Sequence, residues 1–278
     1  MILKNYRFHY CFSGNSNKPL ILFLHGFMGN ISEFDEIVNL LADDFNCLSV
    51  DLPGHGKTQV LDDDCYTMAK TADALISFLD NLLDSVLNKS KISRCFLIGY
   101  SMGGRLALYL MLHFPQYFHK VILESASPGL STQKEKLERV KRDEQIARKL
   151  ARMTTKDDFI IFLDNWYNQP IFGNIKNHPQ FERMIKNRLQ NNPEDLAKSL
   201  RLMGTGVQPS LWNYLQENKV PLLLLVGEHD KKFVDINKRM LDINEFCELN
   251  LHIVKNTAHN IHLENAPVFV KNIRDFFN

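Results

Sequence analysis

The pentad Gly99-Tyr100-Ser101-Met102-Gly103 sets a serine between two glycines, each two residues away. It follows an apolar run at 95–99 and opens a stretch, 102–113, whose apolar residues recur at helical spacing. A serine on a sharp strand-to-helix turn presents its hydroxyl for chemistry, and small neighbours let the chain turn without clashes. The start of the following helix favours negative charge beside that hydroxyl. Such a serine needs a base, and the base needs a carboxylate to orient it. In this arrangement the chain order is serine, acid, histidine. Downstream, the run 222–226 leads into Gly227-Glu228-His229-Asp230; Asp230, farther into the loop, is the preferred acid and Glu228 the alternative. After the run 249–254, His259 comes first in a loop of small residues, and His262 falls on the next helical turn, so His259 is preferred. Backbone donors for a developing oxyanion are expected from Phe27, in His25-Gly26-Phe27-Met28-Gly29, and from Met102. His55, in Asp51-Leu52-Pro53-Gly54-His55-Gly56, reads as a turn histidine.

These residues must be held by a regular frame. Apolar runs of strand length lie at 20–24, 47–50, 95–99, 120–123, 222–226 and 249–254. Helical patterns at 32–42, 67–87, 102–113 and 267–277 separate most of them, with Ser32 expected as an N-cap and Pro267 at a helix start. Strands alternating with helices predict an α/β fold with a mostly parallel sheet covered on both faces, and sites of such sheets lie at the C-terminal strand ends. The alternating stretch 6–12 predicts an antiparallel edge strand. The alternation stops between about 127 and 220. From 133 to 156 that stretch holds nine Lys/Arg against four acids, so a basic helical insertion is expected. The predicted organisation is a core of 1–126 and 220–278 with a helical lid at 127–219.

The chain has 278 residues, 45% hydrophobic and 23% charged, with net charge +1, so composition gives no pointer to nucleic acid. No apolar run nears the ~18 residues of a membrane span, so membrane insertion is not expected. The start, MILKNYRFHYCF, lacks the pattern of a secretory leader. Five scattered cysteines without CxxC pairing fit a reducing cytoplasm without disulfides, and the expected location is cytoplasmic. No cofactor motif and no metal-ligand spacing are found, so no cofactor is expected.

Further motifs carry a resemblance. With HGFMG at His25 and DLPGHG at Asp51 go GYSMGGR at Gly99 and LESASPGL at Leu123. Glu138-Arg139, Trp166-Tyr167-Asn168-Gln169-Pro170-Ile171-Phe172, Arg188 with Asn191-Asn192, and Gly206-Val207-Gln208-Pro209 continue the pattern through the insertion. GEHD at Gly227 and AHNIHLENAP at Ala258 complete it. Together they resemble the MenH family, the 2-succinyl-6-hydroxy-2,4-cyclohexadiene-1-carboxylate synthases of menaquinone and phylloquinone biosynthesis, which have the α/β-hydrolase fold. Some relatives carry a glycine-rich segment where this chain has Ser125-Ala126-Ser127, and Gly-His where it has Ala258-His259.

The resemblance implies a carbon–oxygen lyase that removes a proton beside a ketone and expels pyruvate, with Ser101 as the base. It also implies that Arg105, Arg139 and Arg188 hold the carboxylates of a small polycarboxylate substrate, that Tyr100 assists the oxyanion donors, and that Trp166 walls the pocket. A serine esterase or carbon–carbon bond hydrolase using the same residues is the alternative, as is a non-catalytic binding protein. Filled triad positions count against the last.

Overall fold

The computed structural model describes residues 2–85, 94–243 and 248–278. Its strands are β1 (Tyr6–Arg7), β2 (Tyr10–Gly14), β3 (Leu20–Leu24), β4 (Asn46–Val50), β5 (Gln59–Val60), β6 (Cys95–Tyr100), β7 (Phe118–Glu124), β8 (Leu222–Gly227) and β9 (Leu249–Val254). Seven of them form one sheet in the order β2-β4-β3-β6-β7-β8-β9. Only β2 runs antiparallel. The expected edge strand at 6–12 is thus split: β2 caps the sheet, while β1 pairs with β5 in a separate ribbon.

Successive side chains of a strand face opposite ways, and this builds two cores from one run. Along β3, Leu20, Leu22 and Leu24 join the apolar cluster that includes Leu75, Leu106 and Met240. Ile21 and Phe23 join the other, with Ile37, Phe269 and Ile273. Each such side chain contributes roughly 1.5–3 kcal/mol on burial. This double burial explains why the central strands read as unbroken apolar runs, whereas the edge strand β9 alternates.

The helices are α1 (Asp35–Leu41), α2 (Met68–Ser85), α3 (Met102–His113), α4 (Gln133–Ala151), α5 (Lys156–Trp166), α6 (Phe181–Arg188), α7 (Pro193–Met203), α8 (Lys231–Ile243), α9 (Ile261–Glu264) and α10 (Ala266–Phe277). The expected N-cap at Ser32 is corrected: Asn30 accepts from the Ser32 amide and caps a 3-10 turn, Ile31–Phe34, before α1 starts. The predicted end of the helix at 67–87 lies outside the described residues. Between β7 and β8 the chain leaves the sheet and forms α4 to α7. Thr132 with Glu135 and Thr155 with Asp158 make capping boxes that start α4 and α5 where the charged run gives no apolar signal. Leu150, Phe159, Leu163, Phe172 and Leu196 give these helices an apolar cluster of their own, which also takes in Met28 of the core.

Candidate active site

Ser101 sits between β6 and α3 with φ +50° and ψ −105°, a conformation that side-chain-bearing residues rarely hold. The surroundings impose it: the Ser101 amide donates to the Glu124 carbonyl at 2.9 Å, and its carbonyl accepts from Arg105 N at 3.0 Å. A Cβ on Gly103 would lie 2.2 Å from the Leu24 carbonyl oxygen, so only glycine lets α3 approach β3 this closely. Ser125, in the segment where some relatives carry glycine, also takes a positive φ of +48°.

The turn aims Ser101 Oγ at His259 Nε2, 3.0 Å away, and His259 Nδ1 meets Asp230 Oδ2 at 2.5 Å. Since a carboxylate only accepts, Nδ1 carries the proton and Nε2 is left to accept from the serine hydroxyl. Asp230 is fully buried at the end of β8, and its other oxygen accepts from Phe233 N of α8 at 3.4 Å. Glu228, the alternative acid, instead accepts from the Asn256 amide at 3.1 Å. His55 donates Nδ1–H to the Pro53 carbonyl at 3.0 Å inside its own turn. Phe27 and Met102 line the same cavity as Ser101, and among the described residues neither backbone amide has a protein acceptor. Two unpaired backbone donors in one cavity with a hydroxyl are the groups that an oxyanion site requires.

The cavity above Ser101 measures about 430 Å³ and is closed by the helices between β7 and β8. Trp166 forms part of its wall, packed against Phe27 with ring centroids 5.6 Å apart. Tyr100 lines it as well, and burial pushes the phenol pKa well up, so the phenol stays neutral. The wall carries Arg105, Arg139, Arg142, Arg188 and Lys232, and among the described residues no Asp or Glu lines it. Arg105 is 8% exposed and gives hydrogen bonds to the Met203 carbonyl at 3.0 Å and Gln208 Oε1 at 2.8 Å. Burial, and then the neighbouring Arg139, bring its pKa down to about 10, which leaves it charged at neutral pH. Arg139 gives Nε to Asp143 at 2.7 Å.

Arg188 is placed differently from the other expected arginines. It is 2% exposed, pairs through both terminal nitrogens with Glu33 at 2.5 and 2.6 Å, and gives Nε to Tyr167 Oη at 3.0 Å. Glu33 also meets His262 Nε2 at 3.3 Å, and His262 Nδ1 meets Glu124 at 2.7 Å. The alternative histidine therefore belongs to a buried chain of alternating charge beneath Tyr100, whose ring lies 4.9 Å from that of His262. Burial alone would hold Glu33 neutral, but Arg188 and His262 outweigh it and hold its carboxyl well below the usual range. Burial likewise opposes the charge on His262, but Glu124 and Glu33 outweigh it and push the pKa up to about 9. The proton held by His262 thus stabilises the fold fully below pH 6.5, and this contribution is lost as pH rises through 9. Urea melts should show stability falling by up to roughly 3 kcal/mol between pH 6.5 and 9.5, and the fall should be absent in His262→Asn.

Several residues of the cavity wall and of the buried chain beneath it escape a reading of the sequence. Lys232 carried one signal, a cation in the first turn of a helix, where the dipole disfavours it. Arg142 lay inside a charged run with nothing to separate it from solvated neighbours. Glu33 gave no signal, because an acid in the first turn of a helix is ordinary.

The fold and the strained serine define a class, and the sequence family described as alpha/beta hydrolase fold matches residues 19–266. The solved structure of MenH from S. aureus is similar at a TM-score of 0.85 and 32% identity, over 98% of this chain and 97% of that one. A 2-succinyl-6-hydroxy-2,4-cyclohexadiene-1-carboxylate synthase of Photorhabdus laumondii is 32% identical over 96% of this chain and 88% of its own length. Protein PHYLLO, chloroplastic, of Arabidopsis thaliana is 30% identical over 94% of this chain, which spans 15% of that protein. The chain belongs to the 2-succinyl-6-hydroxy-2,4-cyclohexadiene-1-carboxylate synthase family, within the alpha/beta hydrolase fold.

Proposed function

We propose that the protein is a carbon–oxygen lyase that converts 2-succinyl-5-enolpyruvyl-6-hydroxy-3-cyclohexene-1-carboxylate to 2-succinyl-6-hydroxy-2,4-cyclohexadiene-1-carboxylate and pyruvate, on the route to menaquinone or phylloquinone. The observation that carries this reading is a cavity over Ser101 whose wall holds cations and, among the described residues, no carboxylate. A substrate with three carboxylates supplies the missing charge, whereas a neutral ester would leave a buried arginine uncompensated. The reading takes the enzyme to be cytoplasmic, in keeping with the unpaired state of Cys11, Cys47, Cys65 and Cys95. Among the described residues no helix is long and apolar enough to cross a membrane.

In this reading Asp230 orients His259, His259 draws the proton from Ser101, and the serine oxygen takes the ring proton beside the succinyl ketone. The carbon–hydrogen electrons move toward the ketone oxygen, which the Phe27 and Met102 amides hold with help from the Tyr100 phenol. They return through the ring double bond, which shifts to give the 2,4-diene, and the bond from ring carbon to enolpyruvyl oxygen breaks. Ser101 keeps the ring proton, and His259 gives the proton it drew to the leaving three-carbon enolate, which becomes pyruvate. Arg105 and Arg139 hold carboxylates, joined at the cavity wall by Arg142 and Lys232, and Arg188 acts from beneath through Glu33 and Tyr167.

The test is the charge requirement. Arg105→Ala should raise KM for pyruvate release by about 10- to 100-fold, the range of a charge-assisted hydrogen bond, while turnover of a small neutral ester stays within twofold. Equal losses on both substrates would remove the charge argument.

A further inference from the structure

Glu264, at the end of α9, makes no part of the cavity wall, yet it holds the loop that carries His259. Its two oxygens accept from the Ala258 amide at 3.1 and 3.0 Å, and Oε1 accepts from the Asn260 amide at 3.3 Å. One carboxylate therefore grips the peptide that follows the histidine and the peptide that precedes Ala258. The amide between them, that of His259, points the other way and donates to the carbonyl of Ile171, in the segment between α5 and α6, at 3.0 Å. The ring of Phe172 from the same segment meets the imidazole edge to face at 5.6 Å.

The backbone of His259 is thus held from two sides. Three consecutive amides are shared between one carboxylate of the core and one carbonyl of the lid. A backbone rotation here would swing the imidazole away from Ser101 Oγ or Asp230, each of which lies within 3.0 Å of a ring nitrogen. Burial pushes the Glu264 pKa up to about 7, the two amides oppose that rise, and Glu124 and His262 are the charged side chains acting on it. A half-buried carboxylate whose partners are amides of a single loop needs a reason other than solubility.

We propose that Glu264 is a positioning residue for His259: it fixes the peptide that follows the histidine and the one that precedes Ala258, while the lid carbonyl of Ile171 fixes the peptide between Ala258 and His259. The inference rests on the reading of Ser101, His259 and Asp230 as one catalytic unit and not on the identity of the substrate. Loss of the grip slows every reaction that needs His259 to draw the proton from Ser101, and leaves carboxylate binding by the arginines untouched.

The experiment uses a small fluorophosphonate, which forms a bond from phosphorus to Ser101 Oγ as fluoride leaves and His259 takes the proton. Its end point counts competent sites, and its rate constant reports the alignment at each site. Glu264→Gln, nearly isosteric but uncharged, should lower the phosphonylation rate constant per titratable site at least tenfold. It should lower kcat for pyruvate release by a similar factor and leave KM within twofold. Glu264→Asp, which keeps the charge with a shorter reach, should recover part of both rates, and it carries the test if the glutamine variant does not fold. A merely structural role would reduce the number of titratable sites and leave the rate constant per site unchanged. Rates per site within twofold of wild type in every folded variant would overturn the proposal. A wild-type enzyme that reacts with the fluorophosphonate but releases no pyruvate would instead reject the lyase reading and leave this one standing.

Discussion

Ser101→Ala should lower kcat for pyruvate release by about 10³-fold, within the 10²–10⁴ range that loss of a positioned base produces, with little change in KM. The asymmetry follows from the site. In the proposed mechanism the hydroxyl that meets His259 Nε2 takes the proton, whereas the substrate carboxylates fall to groups at other positions, Arg105 of α3 and Arg139 of α4. The elbow is strained at Ser101 itself, with φ +50° and ψ −105°, so alanine inherits that backbone and its neighbours need not move. Steady-state kinetics with the purified variant checks this. A rise in KM with kcat unchanged would mean that the hydroxyl binds substrate and that another group takes the proton.

The second large effect concerns stability. Arg188→Met should destabilise the fold by about 3–5 kcal/mol, because it leaves the Glu33 carboxylate charged and buried without its partner. In the native chain Glu33 and Glu124 face Arg188 and His262, two charges of each sign, and none of these side chains reaches solvent appreciably. Removing one cation unbalances the whole set, and Tyr167 loses the donor that its hydroxyl accepts. For a domain of this size each kcal/mol moves Tm by about 2–4 °C, so a drop on the order of 10 °C is expected. Calorimetry of Arg188→Met beside the double variant Glu33→Gln, Arg188→Met decides the cause: the second substitution should restore part of the loss, since no bare charge then remains at Glu33. A double variant less stable than the single one would place the loss in packing around Arg188 instead of in its charge.

Much of this molecule was legible because burial on both faces writes central strands as apolar runs. The limits of β3 fall where its run does, and α3 ends where Pro115 stops it. The first strand was misjudged because residues 6–12 alternate throughout, and alternation does not reveal that the chain changes partner, from β5 to β4, halfway along. Ser32 was a reasonable cap by type, but Asn30 reaches the same amide from two residues earlier. In the site, Ser101, Asp230 and His259 could be chosen because each follows a strand end, which is a local signal. The partner of Arg188 could not, since Glu33 lies 155 residues away and only the fold brings them together. Glu264 is hidden for another reason: it is close in sequence to Ala258 and Asn260, but its hold on them depends on how a four-residue helix turns back, not on residue type.

The most direct test of the central claim is incubation of the purified protein with 2-succinyl-5-enolpyruvyl-6-hydroxy-3-cyclohexene-1-carboxylate, following pyruvate and the conjugated diene together. The lyase reading predicts that both appear one to one, far faster than the spontaneous reaction, and that Ser101→Ala removes the acceleration. Pyruvate release no faster than the spontaneous rate, from a protein that hydrolyses nitrophenyl esters well, would contradict it.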